Sequence, residues 1–281
     1  MTPTADAQPW VSEFRGPRNS AAGVEGSFHN DAIAAKFGFK GGAVGGSVHM
    51  DQFVPGLLAL YGDAWFETGS LSLYFTQATV DGERVQATVE PGAERARLTM
   101  HNEAGARICE GTASVGRDPQ SELARRLEAQ TPAEPGALRI LRHMVIGEEH
   151  HDLPVRIEPE ALARALETLT EPLPAYRDGR GLPPSQLIGL SRKIRGEVLA
   201  KSANPKVGLI GALEVQQFAG PLHAGVDYLA RTRVLKLTES PKTENVWHDV
   251  IFTDAKGGPD LARALCLLRF FKGSSPLWPS A

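Results

Sequence analysis

The chain has 281 residues, 42% of them hydrophobic, with 30 Lys and Arg against 33 Asp and Glu and a net charge of -3. That length and apolar content can bury a sizeable core in one large or two ordinary domains. The balanced, scattered charge leaves no footprint for nucleic acid or an anionic membrane surface, and no run approaches the roughly 18 apolar residues of a membrane span.

Residues 1–9 show no basic segment followed by an apolar one, so no leader is expected and a cytoplasmic location is the default. A polar, irregular entry runs to about residue 30, followed by a short helix over 31–37 and an apolar helix over 47–61. Strands are predicted over 71–79, 84–89, 95–100 and 108–115, where apolar and polar residues alternate or β-branched residues dominate. Asp81-Gly82 and Glu103-Ala104-Gly105 sit between them as turns. Residues 117–147, rich in Pro, Glu and Ala, read as a connection that holds a short amphipathic helix over 121–129, a surface brace. A second helix begins at 183–195, and strands follow over 208–218, 227–237, 247–254 and 261–271. A helix and then four strands thus occur twice, an internal repeat of supersecondary units. The division expected is an N-terminal unit over 1–118, a linker over 119–147 and a C-terminal unit over 148–281. Cys109 and Cys266 each lie in an apolar alternating stretch and read as reduced, buried thiols.

The segment Ser27-Phe-His-Asn-Asp-Ala-Ile-Ala-Ala-Lys-Phe-Gly-Phe-Lys-Gly-Gly-Ala-Val-Gly-Gly-Ser-Val-His-Met-Asp51 ends a polar loop, forms a short helix and opens the apolar helix with glycines. His29, Asp31 two residues on, a Gly-Phe pair and a Gly-rich helix entry together resemble the MaoC-like enoyl-thioester hydratases. That family's loop reads Gly-Asp-x-Asn-Pro-Ile-His. Here Gly23-Val24-Glu25-Gly26-Ser27-Phe28-His29 keeps the glycine and the histidine, with Val24 at the acid position, Gly26 at the Asn and Ser27 at the Pro. The family's His-Gly at the head of the long helix is Gly45-Gly46. Residues 153–169 are similar to the strand and helix that open such a domain. The resemblance implies an α+β tandem double hotdog, each half a long helix wrapped by an antiparallel sheet. It also implies a small-molecule ligand, an acyl thioester carried on CoA or acyl carrier protein. Two hotdogs in one chain satisfy the pairing need internally, so a monomer or a homodimer is expected.

His29 is the candidate general base, an imidazole on a loop beside a helix entry. Asp31 reads first as the N-cap of the helix over 31–37 and second as a partner orienting His29. Glu25 could replace the missing carboxylate. Gly45, Gly46 and Ser47 offer free backbone N–H groups for a thioester oxygen, with a merely tight loop as the plainer reading. His49 and Asp51 read as packed or solvated first-turn residues, or as cavity groups like the helix carboxylate of other hotdog enzymes. Tyr176 ends Glu171-Pro-Leu-Pro-Ala-Tyr176, which occupies the loop position in the second half. It reads as a packing or substrate-lining residue, or as a complement to His29 across the pseudo-twofold. Phe53, Leu57, Tyr74 and Phe75 are core or tunnel-lining residues. Glu148-Glu-His-His-Asp152 has ligand atoms, but adjacent histidines diverge, so it reads as a polar loop and no metal is expected. No Gly-x-Ser-x-Gly elbow, Walker loop or dinucleotide fingerprint occurs, and no cofactor is expected.

The expected activity is reversible hydration of an enoyl thioester, or dehydration of a 3-hydroxyacyl thioester, with His29 moving the proton. Three alternatives stand beside it: a hotdog thioesterase in which Asp51 or Glu25 positions water, a lyase or isomerase acting on a small molecule without CoA, and an acyl-thioester-binding protein with a decayed site.

Overall fold

The alternating stretches pair into one ten-stranded, wholly antiparallel sheet in a computed structural model that describes residues 8–171 and 173–278. Residues 1–7, within the stretch read for a leader, and Pro172 in the second-half loop lie outside the described residues. The first half supplies β1 (Trp10–Val11), α1 (Asp31–Lys36), α2 (Gly46–Asp51), α3 (Val54–Tyr61), α4 (Ala64–Thr68), β2 (Gly69–Phe75), β3 (Val85–Glu90), β4 (Ala96–Asn102) and β5 (Arg107–Val115). After α5 (Glu122–Ala129), the second half supplies β6 (Glu149–Arg156), α6 (Pro159–Leu166), α7 (Pro174–Arg177), α8 (Pro184–Lys193), α9 (Arg195–Val198), β7 (Gly208–Gln217), β8 (Asp227–Glu239), β9 (Thr243–Asp254) and β10 (Asp260–Phe271). Across the sheet the order is β1-β3-β4-β5-β2-β7-β10-β9-β8-β6. The halves join where β2 pairs with β7, in register from Ser70 opposite Gln216 to Tyr74 opposite Ala212.

The apolar helix expected over 47–61 is present as two segments. Pro55 has no N–H to donate to the Asp51 carbonyl, so the helical ladder lapses at Gln52 and Phe53 although both keep right-handed helical dihedrals. Met50, Phe53, Val54 and Leu57 are fully buried against Leu71 and Leu73 of β2 and Leu98 and Met100 of β4. Each such side chain contributes about 1.5–3 kcal/mol on leaving water. Phe53 and Leu57 are therefore core. Tyr74 points to the opposite face of β2, where the Arg126 guanidinium lies over its ring at 3.7 Å.

The helix read as a surface brace does more than that. Leu123 of α5 is fully buried with Ala212, Trp247, Leu265 and Leu267 on the outer face of the second-half strands. Its N–H reaches Ser72 Oγ on β2 at 2.9 Å, while Ser121 Oγ donates to Glu214 Oε2 on β7 at 2.6 Å. The helix therefore clamps the two strands whose pairing unites the halves. Both cysteines are free and buried. No helix among the described residues is long and apolar enough to cross a membrane.

Candidate functional site

A cavity of about 640 Å³ opens between the loop that carries His29, the head of α2, the α8–α9 corner and the start of β7 beside the end of β10. Both halves build it. The N-terminal wall is a short flap whose aromatic residues dock on the C-terminal half. Phe28 and Phe39 meet edge to face at 4.5 Å, and Phe271, at the end of β10, stacks on Phe37 at 4.6 Å and on Phe28 at 5.6 Å.

Within that wall His29 is held by its own backbone and by one ring nitrogen. Asn19 Nδ2 donates to the His29 carbonyl at 2.8 Å, and the Gly42 backbone lies so close that a Cβ there would stand 2.0 Å from the same oxygen. Gly42 is a glycine because no side chain fits. His29 Nδ1 lies 2.6 Å from the Ala43 carbonyl oxygen. A carbonyl only accepts, so Nδ1 carries a proton, and Nε2 is the nitrogen left free of this contact. Gly45 sits beside the ring, its would-be Cβ 3.8 Å from His29 Cε1. Among the described residues no acceptor takes the N–H of Gly45, Gly46 or Ser47, as expected for the first turn of a helix. Gly46 faces Phe75, whose ring would lie 2.7 Å from a Cβ at that position.

Asp31 is not the cap of α1. Asn30 is, its Oδ1 accepting the Ala32 and Ile33 N–H groups, and Asp31 instead accepts the Gly42 N–H at 2.7 Å. It ties down the Gly41-Gly42 turn and makes no hydrogen bond to the His29 ring. The sequence could not separate two adjacent cap-competent residues. Glu25 is exposed and does not line the cavity, while Val24, at the position of the family's acid, does. His49 lines the cavity and is buried, with Nε2 2.8 Å from Thr79 Oγ1. Burial lowers its pKa to about 4, so it is neutral at ordinary pH.

Asp51 and Tyr176 belong elsewhere. Asp51 is fully buried and accepts the Ser185 N–H at the head of α8 at 2.9 Å, so the helix carboxylate does not enter the His29 cavity. Burial pushes its pKa up to about 7. Tyr176 packs edge to face on Phe66, and burial with the nearby Asp51 and Glu171 carboxyls raises its phenol well above the usual value. It does not meet His29. Glu171, in the same loop, is paired with Arg15 at 3.2 Å and accepts from Thr170 Oγ1. The run expected to be a polar loop at 148–152 mostly forms the start of β6. There Glu148 pairs with Lys201 at 2.6 Å and His151 with Glu149 at 3.0 Å.

The groups that sequence reasoning missed are cationic. Lys40, Arg192, Arg195 and Arg269 line the cavity with His29, and no Asp or Glu lines it among the described residues. Arg269 donates to Tyr74 Oη at 2.7 Å. Lys40 and Arg192 are exposed. Arg195, the first residue of α9, has Nε and Nη2 buried without an acceptor among the described residues, and burial lowers its guanidinium from the usual value. The one signal available was the basic run Arg192-Lys193-Ile194-Arg195 at the end of the expected helix.

Solved structures share this architecture. A protein of Chloroflexus aurantiacus, named as a MaoC domain dehydratase, superposes with a TM-score of 0.65 at 13% identity, over 94% of each chain. A Mycobacterium tuberculosis protein described as a double hotdog gives 0.64 at 12% identity, over 96% of this chain and 99% of that one. A MaoC-like dehydratase gives 0.54 at 15% identity, over 95% and 99%. No protein-family model and no curated protein sequence matches the chain. The chain has the α+β double hotdog fold of these structures, in which each sheet half curls around its own helix.

Proposed function

We propose that the protein hydrates an enoyl thioester reversibly, with His29 as the single acid–base group. The observation that carries this reading is the fixed His29 ring. Its Nδ1–H is hydrogen-bonded to the Ala43 carbonyl, which leaves Nε2 free, and the ring lies beside Gly45, where the run of unpartnered amides of Gly45, Gly46 and Ser47 begins. Nε2 takes a proton from water as the oxygen adds to C3 of the enoyl group. The thioester oxygen gathers negative charge and is received by those amides, and the His29 proton then passes to C2. Atoms balance with one water consumed, and the reverse sequence is dehydration. The cationic lining matches an anionic carrier such as CoA. The thioesterase alternative has less support, since Asp51 is turned to Ser185 and Glu25 lies in solvent.

The test is incubation with crotonyl-CoA and with a longer enoyl-CoA, following enoyl absorbance and free thiol together. Absorbance loss without thiol, reduced about 10²–10⁴-fold in His29→Ala, is the expected result. Thiol release would transfer the assignment to a thioesterase. Silence on both channels would overturn the reading in favour of a substrate without CoA or a binding role.

A further inference from the structure

The cavity carries more positive charge than proton transfer requires, and that charge is not evenly placed. Lys40 and Arg192 are exposed, where solvent already screens them. Arg195 is different: Nε and Nη2 are out of contact with water and have no acceptor among the described residues. It projects from the α8–α9 corner near His248 and Cys266, neighbours on β9 and β10 that are both fully buried. Neither neutralises it. His248 is uncharged, its pKa lowered to about 3 by burial and by Arg195 itself, and burial keeps the Cys266 thiol protonated. A guanidinium desolvated without a partner is costly, and proteins normally supply the carboxylate. Here none lines the cavity among the described residues.

From this half-buried guanidinium, two of its nitrogens enclosed and unpaired, on a cavity without acids we propose that the substrate brings the missing carboxylate: the acyl chain of the thioester ends in a carboxyl group that Arg195 binds. This deepens the acyl thioester reading above and rests on it. Charge and depth separate the two anionic parts of such a substrate. The several phosphate charges of a CoA carrier suit the exposed Lys40 and Arg192, where many cations and water can share them. A single carboxylate matches one guanidinium, whose Nη1, unlike the buried Nε and Nη2, is left open to donate to it. The reacting carbons then lie between the two ends, in the same cavity as His29.

The test compares glutaryl-CoA with pentanoyl-CoA, two saturated esters that differ only by a carboxylate in place of the terminal methyl, by calorimetry on the full chain. The expected result is a preference for glutaryl-CoA of about tenfold or more, the size of a charge-assisted contact. That preference collapses in Arg195→Met and is partly kept in Arg195→Lys. Equal affinity in the wild type, or a preference that survives Arg195→Met, overturns the inference. So does an equal weakening of both esters by the substitution, which would mean that Arg195 reads the carrier phosphates. Competition of free glutarate, but not pentanoate, against glutaryl-CoA on wild-type protein reports the same contact without any variant; its failure counts against the proposal. Hydration of pent-2-enoyl-CoA and glutaconyl-CoA at equal rates would overturn the carboxylate and leave the hydratase reading standing. Failure of every ester to bind or turn over would overturn both.

Discussion

Asp51 on α2 accepts the backbone N–H of Ser185 at 2.9 Å, so a carboxyl of the first hotdog caps the helix of the second. Its other oxygen has no hydrogen-bond partner among the described residues, and burial raises its pKa from 3.8 to about 7. Below about pH 4 folded and unfolded chains both hold the proton. Between about 4 and 7 only the folded chain does, so stability falls by roughly 1.4 kcal/mol per pH unit, and above 7 the loss is constant. Asp51→Asn keeps the acceptor for Ser185 and cannot ionise. The wild type is expected to lose several degrees of Tm from pH 5 to pH 8, and the variant distinctly less. Equal losses would show that Asp51 does not titrate in that window.

Two glycines of the His29 loop should respond oppositely to one methyl group. At Gly42 a Cβ would meet the His29 carbonyl oxygen at 2.0 Å, whereas at Gly45 the nearest atom is 3.8 Å away. Gly42→Ala should cost about 1–3 kcal/mol of stability and move the His29 backbone. Gly45→Ala should stay within about 0.5 kcal/mol of wild type by denaturant unfolding. Similar stabilities for the two variants would contradict the packing described.

Phe271 is the post against which the flap rests, stacking on Phe28 and Phe37. Phe271→Ala should leave the sheet intact while amides of residues 28–40 exchange with solvent faster and turnover drops. Hydrogen exchange followed by mass spectrometry reads the first effect directly. Unchanged protection in that segment would mean that the flap is held by the first half alone.

Leu123 is fully buried although it stands on a helix of the connecting segment. Leu123→Ala should destabilise the protein by about 2–5 kcal/mol, the range for a buried leucine truncated to alanine. A loss under 1 kcal/mol in urea unfolding would return α5 to the role of a surface brace.

The strands were legible because alternation survives wherever one sheet face packs on a helix and the other does not, as over Val85–Glu90. The break between α2 and α3 was also written in the sequence, in Pro55, although an apolar run hides it. The position of His29 was legible through its spacing to the glycines. Its cationic surroundings were not, because Arg195 and Arg269 come from the other half and meet the loop only after β2 has paired with β7. Arg192 and Arg195 look on paper like the solvated end of an amphipathic helix. Only the fold reveals that Arg195 has two guanidinium nitrogens enclosed with no acceptor among the described residues. Glu171 and Tyr176, in the loop position of the second half, were visible as residues, yet their turn toward Arg15 and Phe66 depends on contacts that no local pattern encodes.

The β2–β7 seam has a consequence for how the protein behaves when scarce. Hotdogs that pair between separate chains assemble a shared pocket by mass action, and dilution takes such a pocket apart. Here the loop bearing His29 and the corner bearing Arg195 are covalently joined, and the seam that brings them together is closed within one molecule. The effective concentration of one wall for the other is fixed by the chain, so dilution does not part them. Joined in one chain, the halves no longer need to be alike. One loop position could keep its histidine while the other became part of the interior.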